Sequence, residues 1–328
     1  MTAPARASMM PPRRRRLPGF GVALPTSGDL ASPENVFAVA ERAEALGYDD
    51  VWVNDHLSVS GTRASARPTR REPDFFESLT TLAAVAGRQR RIGLAVHSLV
   101  LPLRDPRVVA KQLATIHVLS GGRLTVAPGI GSSREDYAAV GVPFERRGRL
   151  MDEHLRVLDA IFNDEPPVAY DGKDIHMSDG WFFPRPRTIE LWITGDSEPG
   201  LERVVRWGTG WFSTGWPSLE DYARLGGRLG ELLAAAGRDA SEVVRGTAPF
   251  VCVARTHEEA AALVAADPRL ARRPVLVIAG DPAEATERIA AFVAAGVSYV
   301  ELRLVARDAP ALLEMMELVA AEVLPAFR

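Results

Sequence analysis

Leu113-Ala-Thr-Ile-His-Val-Leu-Ser-Gly-Gly-Arg-Leu-Thr-Val-Ala-Pro-Gly-Ile-Gly131 reads as the end of a helix, a Ser-Gly-Gly stop, a short buried strand and a glycine turn. That is one helix–strand unit of a repeating α/β protein, with Gly129 and Gly131 at the carboxyl end of its strand. Parallel α/β enzymes place their chemistry just beyond such strand ends. The alternation runs outward in both directions, from Phe20 to the end of the chain. Ser32 is placed to cap a first helix, Pro33 suits its first position and Gly47 its end. Val36, Val39, Ala40, Ala43 and Leu46 share one face of that helix. Strands are expected at 20–24, 51–53, 92–99, 124–127, 191–194, 210–212, 250–253 and 299–304. Helices are expected at 75–86, 149–162 and 219–236, from Asp105-Pro106, and from Pro310. Eight strands alternating with helices predict a (β/α)8 TIM barrel in preference to an open doubly wound sheet.

Two spacings exceed a minimal barrel. Over sixty residues separate the fourth and fifth strands, and Val275-Leu-Val-Ile278 with Gly280-Asp-Pro282 lies between the seventh and eighth. Long connections in compact domains are usually lids or binding loops, so insertions at the carboxyl-terminal face are expected. The length of 328 residues fits one barrel domain over 19–328 behind a disordered Arg/Pro-rich tail at 1–18. Arg13 to Arg16 precedes Leu17-Pro18-Gly19 rather than an apolar segment, so the tail does not read as a secretory signal. The apolar fraction of 47% fills a large core, and a net charge of −3 gives no nucleic-acid signal. Lys111 and Lys173 are the only lysines; the bias to arginine and alanine reads as genome composition. No apolar run approaches the ~20 residues that span a bilayer. Cys252 stands alone, which excludes an intramolecular disulfide and suits a cytoplasmic location.

The sequence lacks GxxxxGK[ST], HExxH and GxSxG, and its six histidines show no metal-ligand spacing. What remains is polar or glycine residues at successive strand ends. Asp55-His56 follows the second strand and His97-Ser98 ends the third. Gly129, Ile130, Gly131 and Ser132 follow the fourth, and Gly195, Asp196 and Ser197 the fifth. A barrel brings these to one face. Each has a structural alternative: Asp55 as a helix cap, His97 as a satisfied core residue, Ser197 as a plain N-cap. With a helix following at 201–207, the turn at Thr194–Ser197 equally makes an anion site, although Asp196 adds an unhelpful negative charge. Trp181, Phe182, Phe183, Trp192, Trp207, Trp211, Phe212 and Trp216 serve either core packing or the walls of a flat-ring pocket.

At these residues the chain resembles the bacterial luciferase-like family of flavin and deazaflavin oxidoreductases. Ala43-Glu-Ala-Leu-Gly-Tyr-Asp-Asp-Val-Trp-Val-Asn-Asp-His56, Leu101-Pro-Leu-Arg-Asp-Pro106, Ala110-Lys-Gln-Leu-Ala114 and Leu119-Ser-Gly-Gly-Arg123 carry the first half of the likeness. Gly141-Val-Pro-Phe144 with Arg147-Gly148 and Asp152-Glu153, Gly208-Thr-Gly-Trp211, Gly280-Asp-Pro-Ala-Glu284 and Ala294-Ala-Gly-Val297 carry the second. The order of these motifs, rather than any single one, is specific.

The resemblance implies a (β/α)8 barrel and, from the Asp-His after strand two and the Ser-Glu-Pro-Gly turn, the branch that uses coenzyme F420, with FMN as the alternative. It implies His56 beside the redox ring, positioned by or alongside Asp55. It implies a cis peptide at His97-Ser98, close backbone approach at Gly129, Ile130, Gly131 and Ser132, and phosphate binding at Gly195, Asp196 and Ser197. The expected activity is hydride transfer between deazaflavin and a small organic substrate, by a homodimer. An FMN-dependent two-component monooxygenase served by a separate reductase is the second expectation, and a non-catalytic flavin-binding barrel the third. Three positions depart from the family pattern: Ser132 replaces the glutamate acid of sugar-phosphate dehydrogenases, Asp196 replaces a glycine of the phosphate turn, and Val126-Ala-Pro-Gly129 replaces a glycine-rich strand end.

Overall fold

Ser32 and Pro33 start the first helix as the sequence predicts: Ser32 Oγ accepts the Asn35 N–H at 3.1 Å, and Gly47 ends the helix at φ +76°. The computed structural model of the chain describes residues 16–57, 74–186, 189–215, 218–267, 270 and 274–328. The expected tail up to residue 15, most of the loop after His56 and Trp216 lie outside the described residues.

Strands β1 (Gly19–Ala23), β2 (Asp50–Val53), β3 (Gly93–Val100) and β4 (Leu124–Gly129) form the first half of the barrel. The antiparallel hairpin β5 (Val168–Asp171) and β6 (His176–Gly180) stands outside it. Strands β7 (Glu190–Thr194), β8 (Gly210–Ser213), β9 (Val244–Thr247) and β12 (Tyr299–Leu304) complete it; β10 (Phe250–Val253) and β11 (Val277–Gly280) form a side ladder. The parallel order β1-β2-β3-β4-β7-β8-β9-β12 closes through β12 pairing with β1. The helices are α1 (Pro33–Leu46), α2 (Ser78–Arg88), α3 (Pro106–Leu119), α4 (Arg134–Ala139), α5 (Arg147–Asn163), α6 (Glu198–Trp207), α7 (Leu219–Ala235), α8 (His257–Ala266), α9 (Pro282–Ala294) and α10 (Ala309–Leu318). Among the described residues, no helix is long and apolar enough to cross a membrane.

Seven of the expected strands are barrel strands; the seventh is not where the apolar run predicts. Barrel strand β9 is Val-Arg-Gly-Thr, paired to β12 at Gly246↔Tyr299 and Thr247↔Val300. The apolar run at 250–253 is β10, which takes over the same edge of β12 from Arg303 onward. Ala248 and Pro249 separate the two, and proline has no N–H to give a ladder. Past that break β10 turns to β11 instead of β8. The insertion between β4 and β7 holds α4, α5 and the β5–β6 hairpin, the last unforeseen in the sequence.

Side chains plug the barrel interior. Trp52, Trp192, Phe212 and Tyr299 pack there with Ala95, Ala127 and Ala248. Glycines make room for the rings: a Cβ at Gly210 would meet Trp192 Cδ1 at 2.5 Å, and one at Gly246 would meet Phe212 Cδ2 at 2.6 Å. A Cβ at Gly21 would overlap both Trp52 and the Tyr299 hydroxyl. A polar chain crosses the plug, with Trp52 Nε1 donating to Tyr299 OH (3.0 Å) and that hydroxyl donating to Asp50 (2.7 Å). Trp211 points outward instead and stacks on Tyr222 at 4.9 Å, while Trp181 and Phe183 are exposed.

Gly21→Ala is therefore expected to lower unfolding free energy by about 1–3 kcal/mol, because the neighbouring rings cannot move aside in a filled barrel. Urea denaturation measures it. A midpoint equal to that of the parent chain would contradict the packing described.

Candidate active site

The carboxyl ends of β2, β3, β4, β7 and β12 carry the polar residues, on the face that barrel enzymes use. His56, three residues past β2, is 23% exposed and presents Nδ1 at 3.0 Å from Asp136 Oδ2. Phe75 packs across the edge of its ring at 5.3 Å. Asp136 is buried in the first turn of α4, where Ser133 Oγ accepts its N–H at 3.1 Å. An acid three residues after a capping serine ordinarily serves the cap; here the carboxylate turns to the histidine. Sequence reasoning missed Asp136 for that reason.

Asp55 is engaged elsewhere. Its carboxylate accepts from both terminal nitrogens of Arg104 at 2.7 Å, from Ser78 Oγ at 2.9 Å and from the Val100 N–H at 2.9 Å. With 1% of the Asp55 side chain and 14% of Arg104 exposed, this is a buried fork-to-carboxylate pair. It ties the end of β2 to α2 and to the end of β3. Asp55 thus fixes the segment that carries His56, while Asp136 meets the ring.

His97 is buried at the top of the aromatic plug, its ring 4.1 Å from that of Phe212. The His97–Ser98 peptide is cis, as the resemblance implies, and the register of β3 on β4 shifts there. His97 Nδ1 lies 2.7 Å from Glu301 Oε2 and 2.9 Å from Arg303 Nη2. Burial pushes His97 below its ordinary value, against the pull of Glu301. Burial would raise Glu301, but Arg303 and His97 hold it low, so it stays ionised. Glu301 and Arg303 alternate with Tyr299 along β12, all on the inner face. Two charged residues inside an otherwise apolar strand were the signal that sequence reasoning passed over.

The turns after β4 and β7 are close-packed. A Cβ at Gly129 would meet Thr194 Oγ1 at 2.5 Å and Ser98 Cβ at 3.0 Å, so glycine lets three strand ends converge. Gly131 sits at φ +66° against Val100, and Tyr137 OH donates to Ile130 O at 2.6 Å. Ser132 lies in the same turn, exposed. After β7, Gly195 has φ +141°, and its backbone lies against Gly200 in the first turn of α6. Ser197 occupies the N-cap of α6 without making a cap hydrogen bond, so the plain capping alternative is not what its hydroxyl does. Asp196 turns away from the helix: its Oδ2 accepts from the N–H groups of Thr214 (3.2 Å) and Gly215 (2.7 Å). The exposed Ser197 hydroxyl and the first N–H groups of α6, less that of Pro199, are the groups that can hold a phosphate.

Two outcomes follow from this geometry. Arg104→Met strands a buried carboxylate and is expected to cost about 3–5 kcal/mol in urea denaturation, with much of the loss recovered in Asp55→Asn/Arg104→Met. A single variant within 1 kcal/mol of the parent contradicts the pairing. The pH dependence has a definite sign. Burial holds His97, His117 and His154 below the ordinary 6.5, so the unfolded chain takes up protons first. Stability is full above pH 6.5 and is lost as pH falls below it; the lowered Glu301 adds loss below 4.5. The thermal midpoint should fall between pH 7 and pH 5, and a flat or rising midpoint contradicts it.

The family model for luciferase-like monooxygenases matches residues 17–273. An uncharacterized protein of Mycobacterium tuberculosis is 30% identical over 232 residues, covering 67% of this chain and 80% of its own. The F420-dependent glucose-6-phosphate dehydrogenase of Kineococcus radiotolerans is 29% identical over 231 residues, 67% of this chain and 64% of its own. Among solved structures, an F420-dependent secondary alcohol dehydrogenase in complex with an F420-acetone adduct superposes with TM-score 0.79 at 16% identity, covering 96% of this chain and all of its own. The oxygenating constituent of 3,6-diketocamphane monooxygenase from Pseudomonas putida, in complex with FMN, superposes with TM-score 0.76 at 18% identity, covering 94% and 98%. With a closed eight-strand barrel and a family match over most of its length, the chain belongs to the luciferase-like monooxygenase family.

Proposed function

We propose that this protein is a coenzyme F420-dependent oxidoreductase that moves a hydride between the deazaflavin and a small organic substrate. The observation that carries the reading is the His56–Asp136 pair at the mouth of a barrel floored by His97 and Phe212. The sequence likeness to an F420-dependent dehydrogenase favours the deazaflavin. When bound, that group supplies the hydride donor or acceptor.

The chain's own residues then have defined tasks. Asp136 accepts from His56 Nδ1 and so assigns the proton exchanged with substrate to Nε2. It also stabilises the ring while it carries the extra proton. Asp55 and Arg104 hold the end of β2 in place. Ser197 with the α6 N-terminus takes a phosphate, Gly195 giving the turn its shape; Asp196 keeps its charge on the β8 side. His97 and Ser98 support the ring from the floor, and the turn Gly129, Ile130, Gly131 and Ser132 forms one wall. Ser132 brings no acid to that wall, so proton handling rests on His56 and a sugar phosphate is disfavoured as substrate. The reading includes a cytoplasmic homodimer, as in the sequence expectation.

Equilibrium titration of the full chain with F420 and with FMN tests the cofactor assignment. F420 should bind at least ten-fold tighter; submicromolar FMN binding without F420 binding installs the FMN monooxygenase reading, with oxygen as co-substrate and a separate reductase. His56→Ala and Asp136→Asn should each slow single-turnover hydride transfer by about 10²-fold or more while changing F420 affinity little. Hydride transfer at the parent rate in His56→Ala sinks the role given to that residue.

A further inference from the structure

Arg303 is the residue whose position the function above leaves unexplained. Its Nε donates to Glu301 Oε1 at 3.2 Å and its Nη2 meets His97 at 2.9 Å. Its other terminal nitrogen, Nη1, makes no hydrogen bond among the described residues. The side chain is 27% exposed, whereas that of Glu301 beneath it is 1% exposed. Strand β12 runs toward the mouth, so Arg303 stands two residues, roughly 6–7 Å, nearer the opening than Glu301. The positive end of the pair therefore faces outward beside His97, its Cζ 6.0 Å from the ring of Phe250 on β10, at the rim of the floor made by His97 and Phe212.

The charge count decides what this nitrogen suits. Glu301 is ionised, Arg303 is positive and His97 is neutral, so the cluster has no net charge to offer an anion. Asp196, whose field reaches His97, adds a further negative charge nearby. A carboxylate entering here would be uncompensated. A neutral carbonyl oxygen has no such difficulty: it accepts one strong, partly desolvated hydrogen bond from a charged donor.

We propose that Arg303 Nη1 is the substrate-anchoring donor of this site and that it selects a neutral carbonyl compound, a ketone or enone, over a carboxylate. Resting on the oxidoreductase reading, this names the substrate class: hydride addition to the carbonyl carbon, or to the conjugated carbon of an enone, places negative charge on that oxygen. Nη1 is then the donor for the oxyanion, and a proton from solvent or His56 completes the alcohol or the saturated ketone. The hydride comes from the reduced deazaflavin, which is oxidised by two electrons.

The probes are benzamide, benzoate and benzylammonium, titrated calorimetrically into the full chain with and without F420. The parent protein should bind benzamide at least ten-fold tighter than the two charged probes, and Glu301→Gln/Arg303→Met should lose that preference. The double variant removes both charges together and so avoids a stranded carboxylate. Arg303→Lys, which keeps the charge but not the fork, should weaken benzamide by about ten-fold. A purely structural ion pair would shift the thermal midpoint of the variants and leave the preference among probes unchanged; that result overturns the proposal. Tighter binding of benzoate, or no binding of benzamide, overturns it as well. Parent protein that prefers benzamide but binds no F420 overturns the deazaflavin reading and leaves the Arg303 assignment standing.

Discussion

The filling of the barrel is the constraint on which everything else in this chain depends. An eight-stranded barrel leaves an interior just wide enough for side chains. Here four aromatic rings occupy it, each given room by a glycine on a neighbouring strand. The plug is capped below by the Asp50–Tyr299–Trp52 chain and above by the His97–Glu301–Arg303 cluster. Because the rings carry the packing, the charged cluster can sit on top of them with its ions paired and its outer face open. The candidate site is in this sense the upper surface of the core.

Around that surface, each strand end is fixed by a different device. Arg104 forks onto Asp55 to hold the end of β2, the missing side chain of Gly129 lets β3, β4 and β7 converge, and Asp196 ties the turn after β7 to the loop after β8. His56 is the exception in character: it is partly exposed, and the buried carboxylate of Asp136 engages it from the side. A rigid frame with a partly exposed histidine suits the proposed site, whose redox chemistry would come from a bound group.

Much of this was legible in the sequence, and the failures have physical causes. The helix starts at Ser32-Pro33 and Asp105-Pro106 are local chemistry and could be read directly. Strand β9 could not, because Val-Arg-Gly-Thr lacks apolar character: Arg245 points outward against Gly226, and Gly246 exists to admit Phe212. The apolar run after Pro249 looked more like a core strand than the core strand did. The strand-end residues were found because topology gathers them whatever their side chains do. Their partners were not, since Asp55 to Arg104 and His56 to Asp136 are pairings across 49 and 80 residues that no local pattern encodes.

The central claim is that a deazaflavin ring rests on the His97–Phe212 floor beneath His56. A crystal structure of the full chain soaked with F420 tests it most directly. Ring density is expected over that floor, within hydrogen-bonding reach of His56, and phosphate density at Ser197 and the start of α6. Density for the ring away from the barrel mouth, or a phosphate held by other residues, would contradict it.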